Sequence, residues 1–499
     1  MNLVATIFND RALAEHGDQT ALLCGRDHVS YAQLQAMVGR YAAALTAEGL
    51  GPGQRILLKM RDTPALIATF LGAMAIGATP IVIALRAGAK DTDTLLEESA
   101  AAMLVFDRDG GAEVLPRKGL ISLDAANLAT RAAGKDAALE ICDVGAGTEA
   151  FWVLSSGSTG RSKGIVHGHR SLEEVSRYHR DALGMGPGSI VLCTSRLSFA
   201  YALGNGLLTP LYLGATLLLH PEWPTPASTL ALIREWRPKI VFSTPSLYRA
   251  WLNAPDAEPG LFSATELVSA GEKLPAKLAG RWQQRFGRAL RDSYGCSETI
   301  YFVFASMTAE QPAGTVGRLL PWASAELRPA GEADTVGPTS SSGRLFIRHP
   351  FLAMRYSDGA AAQQHRFNHG WFETGDLFER DDGGFWTHRG RDDDLIKVAG
   401  QWVNLRDVEE AVSELGEIAA CAAVTIEDDD GMARVALFVV PEPTGAKDDC
   451  AERVTAHLAE RLRPFQRPKW IHVVADLPRT STGKILKRKL SELVPGRME

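Results

Sequence analysis

Most of the residues able to do chemistry sit in five short segments. Residues 155–164 read SSGSTGRSKG, in which Gly157 and Gly160 alternate with Ser155, Ser156, Ser158 and Thr159 and precede Lys163. Such a loop can turn successive backbone N–H groups inward as a nest for phosphate, with hydroxyls and one ammonium added. It is not a Walker A loop, because Ser162 stands where the second glycine would be. Taken alone, it reads equally as a flexible surface loop. YGCSE at 294–298 offers an aromatic ring and the carboxylate of Glu298; HGWFETGD at 369–376 puts Asp376 after a tight turn. GRDDDLIKVAG at 390–400 is a charged connector, and PRTSTGK at 478–484 sets Lys484 in a polar loop. Each also has a plain reading: Asp376 as a turn residue, Glu298 as a solvated charge, Lys484 as part of the basic stretch KILKRKL.

Elements of alternating type must position these segments. Ser30 followed by Gln33 is a capping box that opens a helix reaching Gly49. RILLKM (55–60) and PIVIAL (80–85) are short apolar runs suited to buried strands, with a helix between them that Asp62 is placed to cap and that ends near Gly77. The alternation returns at 150–219: a strand at FWVLSS, a helix from about Ser171, then strands near IVLCTS and ATLLLH. This predicts an α/β fold of parallel sheets covered by helices. GEADTVGPTSSSG (331–343) reads as a polar loop. The last hundred residues differ. NLRDVEEAVSEL (404–415) is an amphipathic helix capped by Asn404. CAAVTIE and RVALFVVP are strands around the turn EDDDG, and a helix near 449–462 and a strand WIHVV follow. These make a small α+β unit, and the expected domains are 1–391 and 392–499.

Bulk properties narrow the function. A chain of 499 residues exceeds one small core, so two or three domains are expected. A net charge of −6 gives no reason to expect nucleic acid or an anionic membrane as partner. The six cysteines, at 24, 142, 193, 296, 421 and 450, form no C-x-x-C pair, which argues against a zinc or thioredoxin-type site and fits a reducing compartment. The start lacks the pattern of a secretory signal, and no run of 18 apolar residues appears. A cytoplasmic location is expected.

In this order and spacing, the five motifs resemble the adenylate-forming superfamily of acyl- and aryl-CoA ligases, peptide-synthetase adenylation domains and luciferases. The resemblance covers about residues 20–490 and implies a large N-terminal domain of helix-covered sheets with a small C-terminal lid. It implies that a carboxylate attacks the α-phosphorus of ATP, giving an acyl-adenylate and pyrophosphate, and that a thiol then takes the acyl group. By resemblance, residues 155–164 hold the β- and γ-phosphates, Glu298 helps hold Mg²⁺, Ser297 touches the α-phosphate and Tyr294 lies against adenine. Asp376 and Arg391 take the ribose hydroxyls, and Lys484 bridges the substrate carboxylate and the α-phosphate. The pivot of the lid falls at Asp393 within the pattern G-R-x-D-D, and Gly400 lies beside the pantetheine path.

An α-amino acid would need a carboxylate near its ammonium, because an unpaired buried charge is costly. Amino-acid-activating relatives supply an Asp after the pocket Phe; here Ala200 follows Phe199. FAYALGNG, SAGEKLP at 269–275 and SETIYFVF at 297–304 resemble benzoate-type CoA ligases. That resemblance implies an acid pocket drawn from Ala200, Tyr201, Ala270, Gly295 and Tyr301, with Tyr301 standing where benzoate ligases tend to carry His. The expected partners are a small aromatic carboxylic acid and coenzyme A, with a carrier-protein phosphopantetheine as the alternative acceptor. A nucleotide-binding protein without catalysis is the third reading, and Glu298, Asp376, Arg391 and Lys484 speak against it.

Overall fold

The computed structural model describes residues 1–108, 119–136, 138–145, 147–156, 162–308, 310–329, 341–359, 366–398, 401–428, 432–442, 449–478 and 485–491. The chain divides into two compact units. One comprises 1–326, 346–374 and 380–387; the other comprises 327–345, 375–379 and 388–499. Among the described residues, no helix is long and apolar enough to cross a membrane.

The larger unit holds two seven-stranded sheets. In the first, the order is Arg291–Asp292, Glu266–Ser269, Ile240–Ser243, Ile190–Cys193, Thr216–Leu219, Thr20–Cys24 and Asp27–Ser30. All neighbours there are parallel except the last pair. In the second, the order is Arg355–Tyr356, Ser162–Gly168, Glu149–Ser156, Thr79–Val82, Arg55–Lys59, Met103–Phe106 and Ile121–Asp124. Its last five strands run parallel, and Glu149–Ser156 turns back as an antiparallel hairpin. Ile56, Leu57 and Leu58 are all fully buried, as expected of a parallel strand covered on both faces.

Local chemistry sets the helix starts. Ser30 Oγ accepts from Gln33 N at 3.2 Å while Ser30 N donates to Gln33 Oε1 at 2.8 Å, which opens the helix Tyr31–Ala47 as the capping box predicts. Asp62 does not cap the next helix, Pro64–Ala75; Thr63 does. The Asp62 carboxylate instead accepts from Leu197 N at 3.1 Å and pairs with Arg196 at 3.3 Å. The helix expected from Ser171 is also corrected: that stretch forms turns, then the π-helical segment Tyr178–Ala182. Most of the polar stretch 331–343 lies outside the described residues; its end enters the strand Ser342–Arg348.

The smaller unit carries a sheet of Ile418–Glu427, Ala433–Pro441 and Trp470–Val473, antiparallel then parallel. Period-two alternation divides its side chains between two cores. Ala423, Val435, Leu437 and Val439 pack with Val408, Val412, Val454 and Leu458, which lie on the helices Leu405–Ser413 and Cys450–Arg461. Ala422, Val424, Ala436 and Phe438 pack with Leu477 and Leu490. Asn404 caps its helix as expected. The stretch 390–400 is more than a connector: a turn Asp392–Asp394 leads into the antiparallel ribbon Leu395–Val398 with Gln401–Asn404.

Removing a capping hydroxyl typically costs about 1 kcal/mol. Ser30→Ala is expected to lower unfolding free energy by about that amount, read as a lower denaturant midpoint at unchanged slope.

Candidate active site

The Ser/Gly segment lies at the carboxyl end of the strand Glu149–Ser156, the edge where ligands meet open parallel sheets. Its two flanks pair with each other, Ser155 opposite Lys163 and Ser156 opposite Ser162. Gly157, Ser158, Thr159 and Gly160 lie outside the described residues. Lys163 Nζ stands 5.9 Å from the ring centroid of Tyr356. Gly164 must be glycine, since a Cβ there would sit 2.5 Å from Ser357 Oγ and 2.7 Å from the Trp152 ring.

The second motif follows the strand Arg291–Asp292, again at the carboxyl end of a parallel pair. Tyr294–Gly295 pairs antiparallel with Phe302–Ala305, so residues 296–301 form the bend between them. Ile300 takes φ of 63°, a strained conformation for a β-branched residue. Gly295 lies so close to the returning chain that a Cβ would sit 2.5 Å from the Tyr301 carbonyl oxygen. Tyr294 is partly exposed, with its ring 5.8 Å from Phe304, which in turn stacks on Trp386 at 4.5 Å.

Hydrogen bonds join the two motifs. Burial lowers His167 to about 4, so it is neutral, and its Nε2–H donates to the Ser297 carbonyl at 3.0 Å. Ala353 N donates to the Glu298 carbonyl at 2.7 Å, and Tyr356 Oη donates to Glu298 Oε1 at 2.8 Å. Among the described residues, no group of three or more His, Cys, Asp or Glu side chains could hold a metal ion. One carboxylate with an oxygen not engaged by Tyr356 fits Mg²⁺, which takes one or two carboxylates and completes its shell with phosphate and water.

The candidate acid-pocket residues fall into two packing groups. Tyr201 packs with Ala270, Phe242 and Phe302, and its hydroxyl donates to the Val268 carbonyl at 3.2 Å. Tyr301 and Ala200 belong to the neighbouring core, where the Tyr301 ring meets Phe351 at 5.0 Å. Burial pushes the Tyr301 phenol up, and its hydroxyl has no hydrogen-bond partner among the described residues. FAYALGNG begins as the helical turn Ala200–Ala202 and widens into the π-helical Leu203–Leu208, a geometry often found at functional sites.

Sequence reasoning missed His179 and Asn205. The His179 ring lies 6.2 Å from Phe302 and 6.4 Å from Tyr301, between the two groups. Burial lowers it to about 4, so neutral Nε2–H donates to Asn205 Oδ1 at 2.8 Å, and Asn205 Nδ2 donates to the Tyr201 carbonyl at 2.9 Å. A lone histidine outside any motif gave no signal, although Asn205 lies inside FAYALGNG.

In the smaller unit, Asp376 is a buried residue of the strand Trp371–Arg380 rather than a turn residue. Its Oδ1 lies 3.2 Å from His388 Nε2 and 3.6 Å from Arg391 Nη1. Asp393 falls in the turn Asp392–Asp394. Gly400 and Lys484 lie outside the described residues. The flanks of the Lys484 loop are tied together, since Leu486 N donates to the Pro478 carbonyl at 2.7 Å. Lys487, read from sequence only as part of a basic stretch, bridges Asp394 and Glu409 at 3.0 Å each.

A Ser- and Gly-bearing segment and the Glu298 bend both follow the carboxyl ends of parallel strands, the edge at which α/β enzymes take their ligands. The chain matches the AMP-binding enzyme family over residues 9–357 and the AMP-binding enzyme C-terminal domain over 407–484. It is 33% identical to the 3-hydroxybenzoate–CoA/4-hydroxybenzoate–CoA ligase of Thauera aromatica, over 96% of this chain and 94% of that one. Benzoate–CoA ligase of the same organism is 32% identical over 98% and 95% of the two chains. A crystallised benzoate CoA ligase from Burkholderia xenovorans LB400 superposes with a TM-score of 0.89 at 30% identity, covering 98% of this chain and 100% of that one. The chain belongs to the AMP-binding enzyme family, the adenylate-forming enzymes, on its benzoate-type CoA ligase side.

Asp292, just before the YGCSE motif, yields a pH prediction. Burial pushes its carboxyl up to about 8, opposed by the nearby Ser269 hydroxyl, the Leu274 and Ser293 backbone and the charge of Lys273. Its folded value lies above its ordinary 3.8, so between those values the folded state holds the extra proton and stability falls as pH rises. Asp292→Asn is expected to flatten that fall, measured as unfolding free energy at pH 5 and pH 8 against the parent. An unchanged pH slope would refute it.

Proposed function

We propose that the chain is an ATP-dependent aryl-CoA ligase. It converts a benzoate-like carboxylate, ATP and coenzyme A to the aryl-CoA, AMP and pyrophosphate through an acyl-adenylate. The observation that carries this reading is the joined pair of motifs: the Lys163 hairpin and the Glu298 bend, bonded through His167 and Tyr356. Similarity over nearly the full chain to ligases named for benzoate and hydroxybenzoate supports an aromatic acid. Those names also favour coenzyme A over a carrier protein as acceptor.

Both the attacking carboxylate and the phosphate are anionic, so catalysis is mainly charge neutralisation and alignment. Ser155, Ser156, Gly157, Ser158, Thr159, Gly160 and Lys163 take the β- and γ-phosphates, Ser297 takes the α-phosphate, and Tyr294 takes adenine. Asp376 and Arg391 take the ribose. Glu298 would hold Mg²⁺, which would supply positive charge to offset that of the phosphates. Lys484 bridges the two reacting anions in the first step. We place the domain boundary at 391/392, with Asp393 as pivot of a lid that exchanges Lys484 for the face carrying Gly400 before the thiol attacks. Scattered thiols support a cytoplasmic setting.

Two outcomes test this. Lys484→Ala is expected to slow acyl-adenylate formation by about 10²–10³, the usual loss for one transition-state donor, while thioester formation from supplied acyl-adenylate changes far less. Equal loss in both half-reactions refutes the assignment.

The acid assignment is tested by kcat/KM over a panel of acids. Benzoate, small substituted benzoates and heteroaromatic acids are expected to exceed palmitate and α-amino acids. An apolar wall separates close homologues by only about 1–3 kcal/mol per methylene, so several related acids are accepted. Tyr301→Phe and Tyr301→His are expected to reorder ring-substituted acids more than they change the KM for ATP. An effect on ATP alone removes Tyr301 from the acid pocket.

A further inference from the structure

The strand Arg355–Tyr356 belongs to none of the five motifs, yet its tyrosine lies between two of them. Tyr356 Oη donates to Glu298 Oε1 at 2.8 Å, and Lys163 Nζ stands 5.9 Å from the centre of the same ring, inside the reach of a cation–π attraction. The backbone fixes this placement from both sides. Tyr356 pairs with Ile165, Met354 N donates to the Val166 carbonyl at 2.8 Å and Ser357 N to the Gly164 carbonyl at 2.8 Å. Ala353 N holds the Glu298 carbonyl at 2.7 Å, and Phe367 packs on the ring at 5.2 Å. The backbone of Tyr356 is thus pinned in the sheet and its ring is packed on Phe367, which limits how far the phenol can move with the carboxylate it binds.

In this pair the phenol is the O–H donor, because an ionised carboxylate can only accept. Donation to Oε1 engages one carboxylate oxygen and leaves the other not engaged by Tyr356. An untethered glutamate would have to give up rotamer freedom on meeting a cation; this one has lost much of it already.

We propose that Tyr356 is a positioning residue that holds the Glu298 carboxylate and the Lys163 ammonium in one fixed arrangement, so that together they receive a metal–triphosphate. This rests on the assignment of ATP to these motifs under the proposed function.

The test is calorimetric binding of α,β-methylene-ATP with Mg²⁺, beside binding of AMP, which lacks the outer phosphates. Losing a hydrogen bond to a charged group is expected to raise the dissociation constant of Tyr356→Phe for the Mg²⁺–analogue about tenfold, with AMP changed by less than about twofold. The Mg²⁺ concentration for half-maximal analogue binding rises with it. In a Glu298→Gln background, Tyr356→Phe is expected to add little further loss. Proportional weakening of both nucleotides, no weakening of either, or full additivity with Glu298→Gln overturns the role. If Tyr356→Phe does not fold, Glu298→Gln alone decides: selective loss of the Mg²⁺–analogue supports the arrangement, and its absence overturns it. A parent enzyme that binds neither nucleotide sinks the adenylation reading itself. Normal parent binding with an unselective variant sinks only the role of Tyr356.

Discussion

The active-site half of the larger unit depends on one seam, the strand Ser162–Gly168. It pairs with Glu149–Ser156 on one side and Arg355–Tyr356 on the other, and its His167 holds the Ser297 carbonyl. Three stretches far apart in sequence thereby share one hydrogen-bond network. Backbone groups in such a seam have no water to fall back on, so each must find its partner inside the protein. The result is that Lys163 and Glu298, separated by 135 positions in the chain, approach the same tyrosine ring.

Close approach has a steric cost that glycine meets. Gly164 admits Ser357 and Trp152, and Gly295 admits the returning Tyr301 backbone. Any larger residue at either point would push apart the strands that carry Lys163 and Tyr294. The strained φ of Ile300 belongs to the same bend, and Thr299 Oγ1 donates to the Tyr301 carbonyl at 2.8 Å across it. Backbone strain of this kind persists only where surrounding bonds over-determine the conformation.

The smaller unit anchors the loop of Lys484 differently. Its sheet has a core on each face, and Leu490, just beyond the loop, is buried in one of them. Lys487 then ties that segment to Asp394, the residue after the proposed pivot, and to Glu409, which also accepts from Ala423 N at 2.9 Å. A half-buried lysine between two carboxylates is an ion cluster with every charge engaged, which suits a rigid body better than a lone surface pair.

Local rules in the sequence determined the element types and the motif identities. The capping box at Ser30, the cap at Asn404, the apolar runs of the parallel strands and the period-two strands of the smaller unit all follow from forces acting within a few residues. Motif order did the rest for the family, since each motif is contiguous. What failed was whatever distant atoms decided. Asp62 left the cap position for Arg196, 134 residues away, and Thr63 took its place. The stretch from Ser171 gave way to turns and a π segment packed among aromatic rings. That Tyr301 and Tyr201 pack in adjoining groups with His179 between them was likewise not legible in their motifs. His179, Tyr356, His388 and Lys487 carried no sequence signal, because each acts through a partner brought near only by folding. Spacing along the chain encodes period and turn chemistry; it does not encode which side chains meet across strands.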